Sequence, residues 1–193
     1  MVIGIWGDSI TYGRSDDEAL GWGGRILRYL YTKDTAAHVY NRGVCGNTTV
    51  DLLSRLDNEL KTLNPDIVLL SSGVNDSKSV QGIETPLVSL EDYASNIEAL
   101  IRIARAYTKR IIIIGLTNIT DIDTPHGSRF SNDLVRTYDE TLRAHAEREG
   151  LQFVSLFGLL DVETDIADGL HPNARGYDKI AAKILAEVDL IHP

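Results

Sequence analysis

A serine stands directly after the first apolar run of the chain, in Gly7-Asp8-Ser9-Ile10-Thr11. A serine hydroxyl is a poor nucleophile at its own pKa; it needs a base, and the base needs an acid to orient it. Asp168-Gly169-Leu170-His171-Pro172, far along the chain, offers both. A three-residue offset can place carboxylate and imidazole on one face of a turn. The Asp then holds one ring nitrogen and turns the other toward the serine. Pro172 suits a first helical turn, which sets this pair just before a final helix. Two further segments carry donors for a developing oxyanion. Gly43-Val44-Cys45-Gly46-Asn47-Thr48-Thr49 has glycines whose backbone N–H can approach a ligand with no Cβ in the way. Gly73-Val74-Asn75-Asp76 brings an asparagine amide, a neutral and directional donor. Such donors are worth about 10²–10³ in rate each. Taken singly these signals are common, since glycines after strands usually just make turns and Asn75 could be a turn or cap residue. Four of them in order on one chain are not.

The elements that must position these groups follow from apolar spacing. Short strands are expected at residues 2–6 (VIGIW), 38–42 (HVYNR), 66–72 (DIVLLSS), 110–114 (RIIII) and 152–156 (QFVSL). Runs such as IVLL and IIII lack polar alternation, which suits central parallel strands covered on both faces. Between them, apolar residues recur at three- and four-residue spacing: Leu52, Leu53, Leu56, Leu60, Leu63; Ile97, Leu100, Ile101, Ala104; Leu134, Tyr138, Leu142, Ala146; Tyr177, Ile180, Ala181, Ile184, Leu185. Each set predicts a helix with one buried stripe. A shorter helix is expected over residues 23–31, and Gly150 ends the third set as a C′ glycine. Five strands interleaved with five helices predict an open parallel α/β sheet with right-handed crossovers. Loops are expected at residues 77–90, with Gly82 and Pro86, and at 118–132, with Asp121, Asp123, Pro125, Gly127 and Ser128. Both follow strands, so both belong at the carboxyl edge, where open α/β sheets bind ligands.

On these four blocks the sequence resembles the GDSL, or SGNH, hydrolases, whose named serine, glycine, asparagine and histidine fall one per block. The resemblance spans positions 7 to 172. GDSIT puts Ser9 at the nucleophile; NRGVCGNTT puts Gly46 at the family's glycine; GVND gives Asn75; DGLHP gives Asp168 and His171. Cys45 stands where the family often has serine. The resemblance implies a three-layer α/β/α sandwich, flavodoxin-like, with a five-stranded parallel sheet. It implies an acyl-enzyme on Ser9, with His171 as base, Asp168 orienting it, and an oxyanion hole from the Ser9 N–H, the Gly46 N–H and the Asn75 amide. No metal or organic cofactor is implied, and the expected partner is a small-molecule ester. The family spans lipases, short-chain esterases, thioesterases, lysophospholipases and carbohydrate O-acetylesterases. A chain of this size has little room for a lid, and neither loop is a long apolar helix, so short acyl groups are expected.

The 193 residues suit a single domain over 1–193, and a chain of that length buries a core without staples. With 19 Lys and Arg against 28 Asp and Glu, the net charge is −9. That argues against nucleic acid or an anionic membrane as main partner, since both need clustered Lys and Arg. There is no 18-residue apolar run, so no integral membrane segment is expected. Cys45 is the only cysteine, which excludes an intrachain disulfide and a cysteine-based zinc site. The first strand is expected to begin at Val2, which leaves no room for a signal peptide; the expected compartment is the cytoplasm. Nothing in the pattern reports on oligomeric state. A flavodoxin-like nucleotide or flavin module would need a phosphate cradle after the first strand. GDSITYG is neither G-x-G-x-x-G nor a P-loop, and it holds no lysine. A catalytically silent scaffold would not need the complete set of Ser, Gly, Asn, Asp and His. The G-x-S-x-G elbow of α/β-hydrolases is absent.

Other reactive side chains have plainer readings. His38, His126, His145 and His192 have no motif around them; His145, on a helix among charged residues, is expected to be solvated, and His126 to lie on the surface. Trp6 and Trp22 are read as packing residues. Cys45 is read as a small buried hydrophobe. The run Asp161, Glu163, Asp165, Asp168 fails the EF-hand pattern, with Ile166 and Pro172 where glycine and glutamate belong. Asp8 is expected to hold its turn through side-chain hydrogen bonds.

Overall fold

The computed structural model of the protein describes residues 1–33, 36–80, 83 and 85–191. Gly82 and His192, read above from the sequence, lie outside the described residues. Along the chain the elements run β1 (Val2–Gly7), α1 (Ser9–Tyr12), α2 (Gly21–Thr32), β2 (His38–Gly43), α3 (Thr49–Leu63), β3 (Ile67–Ser71), α4 (Val74–Ser77) and β4 (Ser79–Val80). They continue with α5 (Leu90–Arg105), β5 (Arg110–Ile114), β6 (Ile122–Asp123), β7 (Ser128–Phe130), α6 (Asn132–Arg148), β8 (Gln152–Val154) and α7 (Ala174–Glu187).

The main sheet has five parallel strands in the order β2-β1-β3-β5-β8. This is the flavodoxin arrangement, in which the connections reverse direction at the first strand. In register, Gly7 at the end of β1 lies between Gly43 of β2 and Ser71 of β3. The apolar runs of β1, β3 and β5 are buried almost throughout, whereas β2 is an edge strand and largely exposed. Right-handed crossovers put α2 on one face and α3, α5 and α6 on the other. Accordingly α2 packs on α7, and α5 packs on both α3 and α6. Trp6 and Trp22 are both core residues, as read from the sequence.

Capping fixes where the site-bearing segments end. Thr48 opens α3 with a reciprocal capping box to Asp51. Gly150, at φ +65°, closes α6: its N–H bonds to the Glu147 carbonyl and the Leu151 N–H to that of Ala146, a Schellman motif. The sequence placed Pro172 in the first turn of α7; it instead precedes the N-cap, Asn173, whose side chain accepts from the Gly176 N–H. The histidine pair therefore sits two residues further outside the helix than a proline at the first helical position would place it.

The two expected loops contain short strands among their described residues. Residues of both pair into an antiparallel sheet, β4-β7-β6, with Ser79 opposite Arg129 and Ile122 opposite Phe130. His145 is not solvated. It is buried, with Nδ1 2.8 Å from the Thr141 carbonyl and Nε2 3.6 Å from Glu98. Cys45, read as buried, is exposed, and so is His126. Among the described residues, no helix is long and apolar enough to cross a membrane.

Candidate active site

Three strands ending side by side bring the sequence blocks together. Chain reversal after β1 starts α1, whose N-cap Asp8 accepts the Ile10 N–H at 2.9 Å. Ser9 is the first residue of that turn and is buried. A first-turn N–H has no partner within its helix, so the Ser9 amide is left for an acceptor outside α1. The second block is tied to the first by the Val44 N–H on the Gly7 carbonyl at 3.1 Å. There Gly46, at φ +82°, makes the turn closed by the Asn47 N–H on the Val44 carbonyl. Gly73, at φ +152°, leads β3 into α4; a Cβ there would come within 2.6 Å of the Tyr93 hydroxyl. The third block follows: Asn75 is buried, and its Nδ2 donates to the Asn47 carbonyl at 3.1 Å.

Ser9 Oγ lies 2.9 Å from His171 Nε2, and His171 Nδ1 lies 2.8 Å from Asp168 Oδ2. An ionised carboxylate only accepts, so Nδ1 carries the ring proton and Nε2 accepts from the serine. Asp168 Oδ1 receives the backbone N–H groups of His171 at 2.7 Å and Leu170 at 3.1 Å. Burial works to raise the Asp168 carboxyl, but these N–H groups and the His171 ring outweigh it and hold it below the usual carboxylate range. The relay is thus poised with a charged acid, a single tautomer and a hydroxyl aimed at the free nitrogen.

Several supporting residues were not visible in sequence. Ser15 sits in the left-handed region at φ +65° and donates to Asp168 Oδ2 at 3.2 Å. Its neighbour Asp16 is buried against Arg25, whose guanidinium also contacts Asp178 and the Gly21 and Ala174 carbonyls. This clamp joins the stretch after the serine to α2 and α7. Arg55 bridges two blocks, donating to Asn47 Oδ1 at 2.9 Å and to the Gly7 carbonyl at 3.3 Å. Asp76 is fully buried and accepts from the Thr49 N–H and hydroxyl, fixing the third block to the start of α3. The Thr120 N–H donates to the Gly169 carbonyl at 2.8 Å, seating the segment that leads to β6 on the histidine turn. In the acidic run, Asp165 pairs with Lys179 and Arg175, an internal ion cluster.

Burial pushes the Asp8 carboxyl up from 3.8 to about 6, against the Ile10 and Thr11 N–H groups that favour its charge. Between these values the folded protein keeps a proton that the unfolded chain has released. The stability this group contributes is therefore full below about pH 4 and is lost as pH rises through 6. Two pKa units correspond to about 3 kcal/mol. Asparagine caps nearly as well as aspartate and bears no charge. Asp8→Asn is expected to stabilise the fold at pH 7.5 by about 2 kcal/mol, with the gain vanishing at pH 4. Urea unfolding at both values checks this; an equal gain at both would show that the buried charge is not its source.

A flavodoxin-ordered sheet with Ser9, His171 and Asp168 hydrogen-bonded in line at its carboxyl edge has the architecture of a hydrolase on a doubly wound fold. Residues 5–179 match the model of the GDSL-like Lipase/Acylhydrolase family, and the chain belongs to that family. It is 28% identical to a multidomain esterase of Ruminococcus flavefaciens over 95% of its own length, and spans only 28% of that protein. It is 25% identical to esterase TesA of Pseudomonas aeruginosa, covering 87% of this chain and 78% of that one. Among solved structures, the acetylxylan esterase Axe2 of Geobacillus stearothermophilus superposes with a TM-score of 0.78 at 22% identity, over 96% of this chain and 93% of that one. At that identity the likeness concerns the fold.

Proposed function

We propose that this chain hydrolyses carboxylic esters of short acyl groups through an acyl-enzyme on Ser9. The observation that carries this is the continuous relay from Asp168 through His171 to Ser9, at 2.8 and 2.9 Å. In the reading, Ser9 Oγ attacks the acyl carbonyl while His171 Nε2 takes its proton. The carbonyl oxygen becomes an oxyanion, held by the Ser9 N–H, the Gly46 N–H and an Asn75 Nδ2–H. Collapse expels the alcohol, which leaves with the proton from His171. Water then attacks the acyl carbonyl with His171 again as base, and the acid departs. Each step draws on groups of this chain and a small-molecule ester. Residues 1–193 act as one catalytic domain, in keeping with one core cluster among the described residues that runs from Ile3 to Leu190.

Short acyl groups are favoured because described residues of both stretches pair into the short antiparallel β4-β7-β6 sheet and form no long apolar helix that could serve as a cover. Beside that sheet lies a cavity of about 700 Å³ with a mixed lining, Ser79, Thr124, Ser128, Ser131, Asp123 and Arg129 together with Val80, Ile83 and Leu134. Ser9, Asn75, Asp168 and His171 do not line it, so it does not separate a sugar acetate from other short-acyl esters.

The test is a chain-length series of p-nitrophenyl esters from acetate to palmitate, with mass-spectrometric mapping of a phosphonate adduct. Hydrolysis should peak at acetate or butyrate, and the adduct should map to Ser9. A preference for palmitate would overturn the short-acyl reading. An adduct elsewhere would overturn Ser9 as the nucleophile; none, together with no hydrolysis, would overturn the serine mechanism in favour of a silent binding module.

A further inference from the structure

We infer that Lys78 is a positioning residue for the oxyanion hole, acting through the amide of Asn75; the inference rests on the function proposed above. The Asn75 side chain is held at both ends. Its Nδ2 donates to the Asn47 carbonyl at 3.1 Å, and its Oδ1 accepts from Lys78 Nζ at 3.5 Å. A carbonyl oxygen can only accept and an ammonium can only donate. The flipped amide would set its NH₂ against the ammonium and its oxygen against a carbonyl oxygen, two repulsive contacts in a buried place. One orientation survives, and it leaves the second Nδ2–H for an oxyanion.

The ammonium also polarises that amide. A positive charge on the oxygen side draws electron density away from the nitrogen and strengthens the N–H as a donor. At 3.5 Å the contact is longer than a charge-assisted hydrogen bond, so the ammonium acts on the amide as a nearby charge rather than through a short bond. The gain is largest when negative charge appears on the reacting oxygen, so it belongs to the transition state more than to substrate binding.

Lys78 is placed for this by its neighbours. It is half-buried, its Nζ lies 6.0 Å from the centre of the Phe130 ring on β7, and its carbonyl receives the Leu87 N–H at 2.7 Å. The Asp51 carboxyl at the start of α3 is held below its ordinary value chiefly by the Thr48 N–H and hydroxyl, with the Lys78 charge adding to the effect. Lys78, the residue before β4, thus sets its ammonium behind the oxyanion donor.

A double-mutant cycle on p-nitrophenyl acetate tests this, with Ser9→Ala as the background control. Lys78→Met keeps the aliphatic stem over Phe130 and removes the charge. It should lower kcat about tenfold with KM changed less than about twofold, and Lys78→Arg should retain most of the activity. In an Asn75→Ala background, Lys78→Met should change kcat less than about twofold. Equal losses in both backgrounds, a loss confined to KM, or no loss at all would overturn the role of Lys78 while leaving the serine mechanism standing. Full turnover by Ser9→Ala would overturn the mechanism and this inference with it.

Discussion

Ser9→Ala is expected to lower kcat/KM for p-nitrophenyl acetate by about 10⁵-fold, and Asp168→Asn by about 10³–10⁴-fold, each with unchanged thermal unfolding. The first change deletes the attacking oxygen and nothing that holds the turn, because Asp8 caps it. The second is more informative. Asparagine Oδ1 can still accept the His171 and Leu170 N–H groups that Asp168 Oδ1 receives at 2.7 and 3.1 Å, so the turn survives. Its NH₂ then occupies the place of Oδ2 and faces both His171 Nδ1 and the Ser15 hydroxyl. Nδ1 must become an acceptor, which moves the ring proton to Nε2. A protonated Nε2 cannot take a proton from Ser9. Steady-state rates and thermal unfolding of both variants check the pair. Asp168→Asn at near wild-type rate would mean that the aspartate does not set the tautomer.

Arg25→Met is expected to cost about 3–5 kcal/mol, which for a chain of this size lowers Tm by roughly 10 °C. Side chains of Arg25 and Asp16 are 3% and 0% exposed, so water cannot replace the lost partner. Asp16 would keep its backbone donors from Glu18, Leu20 and Gly21 but lose the charge that neutralises it. Burial works to raise the Asp16 carboxyl, yet Arg25 and these N–H groups hold it below its ordinary value. A depressed carboxyl stabilises above its unfolded pKa and loses that contribution as pH falls through the folded one. The wild type should therefore lose this increment in acid, and Arg25→Met should have little of it to lose. Adding Asp16→Asn to Arg25→Met should restore part of the stability by removing the stranded charge. Calorimetry at pH 7.5 and 4 measures both effects; a shift below about 2 °C for Arg25→Met would refute the clamp as a major support.

Strands were legible wherever both faces are covered. IVLL and IIII became β3 and β5 because a buried parallel strand needs apolar residues without alternation. The four chemical blocks were legible because each follows a strand or precedes a helix, where small and polar residues stand out against apolar neighbours. The β4-β7-β6 sheet was not: its strands are two or three residues long, and Ser79 meets Arg129 across fifty positions of chain. No periodicity can develop over so short a span. His145 was misread from its charged neighbours in sequence. It shares a helix face with Tyr138 and Leu142, at spacings of seven and three, and that face is buried. Arg25 gave no signal because its partners Asp16 and Asp178 are joined only by the packing of α2 on α7.

Ser9 and His171 lie 162 positions apart, and one hydrogen bond spans that interval. No local turn can hold it. The two meet only when the strands between them are stacked and α7 has docked on α2. Closing so wide a circuit brings its entropic cost before any reward from the contact itself. A nascent or half-folded chain would therefore carry every reactive group and still be inert toward esters, its serine unpaired with any base. The pairing of Ser9 with His171 is a property of the assembled fold and of no shorter part of it.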